Sequence, residues 1–325
     1  MSIKVNPKVV LAALLIAATA TLYGGYVPHS AASKQYTVAI ANAGSAFPFP
    51  AAEAKGIQDE AKKLGVKVVA NLDGRSDPQK QASDVQDLIA LKPDGILLMP
   101  VNAAESARLV DQIDAAGIPV ISVHGQVGAN RLLSDVYPKL TALIIENEVG
   151  AGGLAAQLAL KALPHGGTVA IIEGQAGFAE VGLREKDFKR ILAAKGGFQI
   201  VATQPADWLA EKGQAACQNI LAAHPKIDLF YSESDDMGVG CAKAVTLQHS
   251  AAKVIGVGGS KLGISAIRAG IEYGTICYKP YTEGQQAMDE MYKQLTGKVH
   301  DHHKLIYYTT PAITKANVNS CIPQW

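Results

Sequence analysis

From Tyr36 onward, short β-branched apolar runs alternate with segments whose apolar residues recur at helical spacing, and few folds accept that pattern. Tyr36–Ala41 (YTVAIA) reads as a buried strand, and Ala54, Ile57, Ala61 and Leu64 mark one helix face that Gly65 closes. The alternation continues through strands at Lys67–Asn71, Gly95–Met99 and Pro119–Val123, with helices between them. It resumes with a helix at Val149–Leu163 and a strand at Thr168–Glu173. Further strands follow at Phe198–Thr203, Leu229–Ser232, Lys253–Val257, Gly274–Tyr278 and Leu305–Thr309. Strands alternating with helices of this length imply right-handed βαβ units and parallel sheets. So many strands exceed one comfortable sheet, so the expected fold class is α/β with two doubly wound parallel-sheet lobes. Gly125–Thr141 is the least regular stretch and the candidate passage towards the second lobe. In open α/β sheets ligands bind beyond the carboxyl ends of the strands, so two facing lobes make a cleft.

Composition matters here in two ways. Hydrophobic residues are 48% and charged residues 18% of the 325, enough apolar material for two cores and against disorder. Lys plus Arg is 30 against 29 for Asp plus Glu. That balance argues against nucleic-acid binding through phosphate neutralisation. Before the alternation, Met1–Ser33 has Lys4 and Lys8, a 14-residue apolar run from Val9 to Leu22, and small residues at Ser30-Ala31-Ala32. These are the three parts of a secretory signal peptide, and the run is shorter than the roughly 20 residues that span a bilayer. Export permits disulfides among Cys217, Cys241, Cys277 and Cys321, which allow three complete pairings. Cys217 and Cys241 fall on consecutive expected helices, which favours that pair.

Catalytic signatures are weak. Val254–Gly263 (VIGVGGSKLG) has Gly256 and Gly258 in dinucleotide-loop spacing, but Lys261 stands at the sixth place. His300-Asp301-His302-His303 lacks a further ligand at metal spacing and reads as a solvated loop. Glu233, Asp235 and Asp236 sit where a strand gives way to a helix, where N-capping explains at least one of them. No cofactor and no metal are expected.

Six stretches in order carry a family likeness: KGIQDEAKKLGVKV from Lys55, DVQDLIALKPDGILLMPV from Asp84, AAGIPVISV from Ala115, ENEVGAGG from Glu146, QPADW from Gln204 and YSESDDMGVGCAKAV from Tyr231. Together they resemble the sugar-binding proteins of ABC importers, the type I periplasmic group that includes ribose-binding protein, over about Tyr36 to Thr314. The resemblance implies two lobes joined by a three-segment hinge, residues 36–143 plus 279–304 forming one and residues 144–278 plus 305–325 the other. It implies a monomer in the periplasm that captures a small sugar or sugar alcohol and delivers it to an ABC permease in the inner membrane. It implies no catalysis. A sensory receptor for a small sugar-like ligand shares the same fold and is the alternative.

The site residues follow from the matched motifs. Phe47 and Phe49 match an aromatic turn that stacks on a sugar ring, Arg184 an arginine that donates to hydroxyls, and Trp208 an aromatic after the Gln-Pro-Ala-Asp stretch. Ser234 stands where a ligand-binding Asn is frequent, Asp235 matches the Asp that follows, and Tyr278 stands at a Gln position. Such groups suit a polyol, whose C–H faces pack on rings and whose hydroxyls meet buried charged partners. The departures are His124-Gly125 in place of an Asp-Arg pair, Gly258 in place of an Asp, and Met99 in place of a polar residue. They argue against ribose or a common hexose, with His124 as a replacement contact.

Overall fold

The computed structural model describes residues 34–299 and 302–325. The expected signal peptide at Met1–Ser33 lies outside the described residues, as do His300 and Asp301 of the histidine-rich loop.

The apolar runs form two six-stranded sheets. The first is built from β1 (Thr37–Asn42), β2 (Lys67–Asp73), β3 (Gly95–Leu98), β4 (Val120–Val123), β5 (Ala142–Glu146) and β11 (Lys304–Tyr308), in the order β11-β5-β4-β3-β1-β2, all parallel. The second is built from β6 (Gly167–Glu173), β7 (Phe198–Pro205), β8 (Leu229–Ser232), β9 (Lys253–Ile255), β10 (Gly274–Ile276) and β12 (Ala312–Thr314), in the order β12-β10-β9-β8-β6-β7. Only its edge strand β12 runs antiparallel, against β10. The central strands β3, β4, β5 and β8 are buried at every residue, which explains their continuous apolar character.

Helices α1 (Pro48–Lys63), α2 (Pro78–Ala90), α3 (Ala103–Ala115) and α9 (Pro280–Leu295) accompany the first sheet. Helices α4 (Glu148–Ala162), α5 (Ala179–Lys195), α6 (Ala210–Ala223), α7 (Asp235–Leu247) and α8 (Lys261–Ala269) accompany the second. Each sheet is cored on both faces. Ile40, Leu97, Ile121 and Ile144 face α1 and α9, while Ala39, Leu98 and Leu143 face α2 and α3. Ile171, Tyr231 and Ile255 face α4 and α5, with Phe188 stacked 4.1 Å from Tyr231, while Ile172 and Phe230 face α6 and α7. The chain crosses between sheets three times, from β5 to β6, from β10 to β11 and from β11 to β12.

Two sequence expectations need correction. Ala142–Glu146 is a strand in the middle of the first sheet, paired with both β4 and β11, so residues 144–146 do not open the second lobe. Leu305–Tyr308 likewise pairs in the first sheet and not with the C-terminal tail. The cause is physical: β5 is five residues long, follows an irregular stretch and ends at once in Glu146-Asn147-Glu148. A polar segment that close to an apolar run resembles a linker.

Both disulfides lie in the second lobe. Cys217–Cys241 links α6 to α7, the favoured pair, and Cys277–Cys321 ties the segment after the 3-10 helix Lys315–Ser320 to the end of β10.

Candidate functional site

The crossing segments hold one another by hydrogen bonds. Asn147 N donates to Tyr308 O at 3.1 Å, Cys277 N to Pro311 O at 2.9 Å, and Lys279 N to the Tyr308 hydroxyl at 3.3 Å. Beside them, at the carboxyl ends of the strands, lies a cavity of about 780 Å³ measured out to its mouth.

Each wall has a local origin. Phe47 caps α1 and Pro48 sets its first turn, so Phe49 and Glu53 fall four apart on one helix face, both lining the cavity. Glu180 and Arg184 repeat that spacing in the first turns of α5. His124 leaves β4 in the left-handed region at φ 65°, and Asp207 and Trp208 occupy it at 50° and 65°. Such conformations persist only where surrounding structure holds them, and they concentrate at ligand sites. Trp208 lies where a Cβ on Gly174 would meet its ring at 1.9 Å, so only glycine leaves room for the indole. Gly258, at φ 138°, does the same for Trp325: a Cβ there would meet the ring at 2.4 Å, and the Trp325 indole N–H donates to Gly258 O at 3.2 Å. The terminal tryptophan thus packs on Gly258, the position where the resemblance implies an Asp.

Of the eight residues singled out from sequence, Phe47, Phe49, His124, Arg184, Trp208, Ser234 and Tyr278 all line this cavity. Asp235 does not. Its carboxylate accepts from Ser260 N at 2.7 Å and from the Thr275 hydroxyl at 2.5 Å, fastening α7 to α8 and β10. Burial raises its pKa to about 6 against those hydrogen bonds. Its neighbour Asp236 faces the cavity instead. Ser234 has a second task, accepting from Met237 N at 3.2 Å as the N-cap of α7.

Sequence reasoning missed Glu53, Glu180, Phe178 and Trp325 as lining groups, and weighed Glu233 and Asp236 only as catalytic or capping candidates. The four-residue spacing of Glu53 from Phe49 and of Glu180 from Arg184 carried a signal. Nothing in the sequence placed the last residue of the chain at the cleft.

Two ion pairs brace the site from behind. Arg184, 4% exposed, donates Nε to Glu148 Oε2 at 2.6 Å, Nη2 to Glu148 Oε1 at 2.9 Å and Nη1 to Glu233 O at 3.0 Å. The Tyr278 hydroxyl donates to the same Glu148 at 2.5 Å, and the guanidinium sits 5.2 Å from the Tyr278 ring and 6.0 Å from that of Trp208. Burial alone would lower the Arg184 pKa, but Glu148 carries it well above its usual value. His124 Nδ1 donates to Glu146 Oε2 at 2.7 Å, and its ring lies 4.5 Å from that of Phe49. Burial would lower the imidazole pKa too, yet the charge of Glu146 and the bond to it raise it to about 10. Glu146 also accepts from the Tyr308 hydroxyl at 2.8 Å, and His124 outweighs burial to hold this carboxyl below its ordinary range.

The lining acids have the opposite fate. Burial lifts Glu53 to about 8 against the pull of His124, and lifts Glu180 and Glu233 as well. Glu233 takes one hydrogen bond, from Gly174 N at 3.0 Å, and its Oε1 has no partner among the described residues, while the Glu53 carboxyl shares a hydrogen bond with that of Glu283. Each unmet buried oxygen costs about 1–3 kcal/mol unless a guest satisfies it.

The lobes touch across the mouth. Gln175 Nε2 donates to Ser76 O at 3.1 Å and Ala103 N to Gly177 O at 3.1 Å. Phe49 meets Trp325 edge to face at 5.3 Å. Rings, buried hydrogen-bonding groups and three crossing segments define a cleft between two lobes of the kind a small-molecule binding protein uses.

Comparison with known proteins agrees. Residues 38–299 match the family model described as a periplasmic binding protein domain. The ribose import binding protein of Bacillus subtilis is 30% identical over 270 residues, covering 83% of this chain and 85% of the relative. The D-allose-binding periplasmic protein of Escherichia coli is 30% identical over 287 residues, covering 86% and 91%. A solved solute-binding protein of Bacillus halodurans, described with bound myo-inositol, shares the fold with a TM-score of 0.81 at 19% identity, over 90% of this chain and 98% of that one. The chain belongs to the periplasmic binding protein family.

Proposed function

We propose that the protein captures a small sugar or sugar alcohol between its lobes and delivers it to an ABC permease in the inner membrane. It acts in the periplasm as a monomer and performs no chemistry on its ligand. The observation that carries this reading is the cavity itself: ring faces of Phe49 and Trp208 stand beside the buried, hydrogen-bonding Arg184 at the meeting of two lobes. Rings cover C–H faces, and charged donors hold hydroxyls at roughly 1.5–3 kcal/mol each. Relatives named for ribose import and for D-allose support the ligand class and favour transport over signalling. A guest touching both walls favours the closed arrangement by the difference in its affinity for the two states.

The departures from the family motif argue against ribose or a common hexose. His124-Gly125, Gly258 with Trp325 beside it, and Met99 replace polar groups that a ribose-type site would use. A thermal-shift panel of pentoses, hexoses, inositols and linear alditols tests the class. A ligand at about 100 times its Kd adds about 2.7 kcal/mol, roughly a 5 °C rise. No shift with any member of the panel would remove this reading.

A further inference from the structure

The cavity lining holds more acidic groups than basic ones. Four carboxyl side chains line it, Glu53, Glu180, Glu233 and Asp236, against two cations, His124 and Arg184. Both cations are matched from behind, His124 by Glu146 and Arg184 by Glu148, and neither of those acids lines the cavity. Arg184 reaches Glu233 through its backbone carbonyl and not through its carboxylate. Glu53 and Glu233 are each 1% exposed and come from opposite lobes; the Glu53 carboxyl hydrogen-bonds that of Glu283, and the Oε1 of Glu233 has no partner among the described residues.

A neutral polyol satisfies such oxygens as a donor but brings no charge to them. An ammonium does both, and the faces of Phe49, Trp208 and Trp325 are suited to hold a cation. We propose that the guest is an aminated sugar or polyol whose protonated amine pairs with the lining carboxylates, Glu53 and Glu233 foremost. The proposal rests on the sugar and polyol reading above and narrows it.

Proton linkage gives an independent readout. Burial leaves Glu53 with a pKa of about 8 among His124, Glu146 and Glu283, and raises that of Glu233 beside Arg184 and Glu185. Burial thus favours the neutral form of both carboxyls, and Glu53 keeps its proton near neutral pH. An arriving ammonium favours their ionised form and drives a proton off.

The test is titration calorimetry of the full chain at pH 7 with matched pairs: glucosamine against glucose, galactosamine against galactose, and 1-amino-1-deoxysorbitol against sorbitol. At least one amine should bind ten or more times tighter than its hydroxyl partner. Its apparent enthalpy should differ between phosphate and Tris by the heat of proton release. Glu53→Gln and Glu233→Gln should bring the ratio below about threefold. If a variant fails to fold, the wild-type ratio decides. Hydroxyl partners binding as tightly as the amines would overturn the amine assignment and leave the polyol reading standing, and an undiminished ratio in both folded variants would overturn the pairing with Glu53 and Glu233. Binding by no member of any pair would overturn the amine assignment, and the polyol reading would be decided by the wider thermal-shift panel.

Discussion

The two walls of the cavity are built differently. The first-lobe wall is chiefly shape: Phe47, Pro48, Phe49, Pro50, Met99 and Val123, with Glu53 and His124 set among them. The second-lobe wall carries Glu180, Arg184, Glu233, Ser234 and Asp236 between Phe178, Trp208 and Trp325. Both disulfides lie behind that second wall. One lobe offers a rigid apolar face, and the other offers directional hydrogen bonds on a covalently stapled frame. Directional groups lose their selectivity when they move, so the stapling belongs where the hydrogen bonds are.

The largest expected effect comes from the polar wall. Arg184→Ala leaves Glu148 buried without its cation, a change that costs about 3–5 kcal/mol of stability. Melting should record that loss, and ligand affinity should fall at least about a hundredfold. If Arg184→Ala melts like the wild type, the ion pair does not organise the wall.

The disulfides separate frame from site. Closing loops with sequence separations of 24 and 44, each should contribute about 3–4 kcal/mol. Replacing Cys277 and Cys321 by serine should also weaken binding, because that bond anchors the tail that ends in Trp325. Replacing Cys217 and Cys241 should lower the melting temperature and leave Kd unchanged. Equal effects of the two pairs on Kd would erase the distinction.

The apolar wall holds the next effect, through pH. His124 has its folded pKa raised from 6.5 to about 10, so its contribution is complete below pH 6.5 and is lost as pH rises through 10. Glu53 is raised from 4.5 to about 8, so the folded state keeps a proton that the unfolded chain sheds, and stability falls from pH 4.5 to 8. The windows overlap between pH 6.5 and 8. Loss there should be steepest, at up to about 1.4 kcal/mol per pH unit for each group. Denaturant unfolding across pH 6–9 measures it, and His124→Gln should flatten the slope. The smallest effect is Phe49→Ala, which removes one ring face and should weaken binding about fivefold to tenfold by calorimetry.

Much of this was legible in the sequence, because buried parallel strands leave unbroken apolar runs and amphipathic helices leave a 3.6-residue period. The lobe boundary was misread at Ala142–Glu146, where a short central strand abuts an acidic hinge. Motifs in the sequence singled out Phe49, Arg184 and Trp208, which line the cavity, whereas Trp325 reaches it through a disulfide, a glycine 67 positions earlier and backbone bonding to Lys261, none of which a motif marks. Asp235 and Asp236 show the limit of motif reading. Adjacent residues at a helix start point in different directions, and the buried one serves the frame while its neighbour lines the cavity.

The central claim is that a hydroxylated guest is held between the Phe49 ring and the Arg184 guanidinium. Crystallography of protein purified from its native periplasm addresses it most directly. The account expects ligand density packed on Phe49 and Trp208, with hydroxyls within hydrogen-bond distance of Arg184. A guest bound elsewhere, or an Arg184 side chain turned away from the space between the lobes, would contradict it.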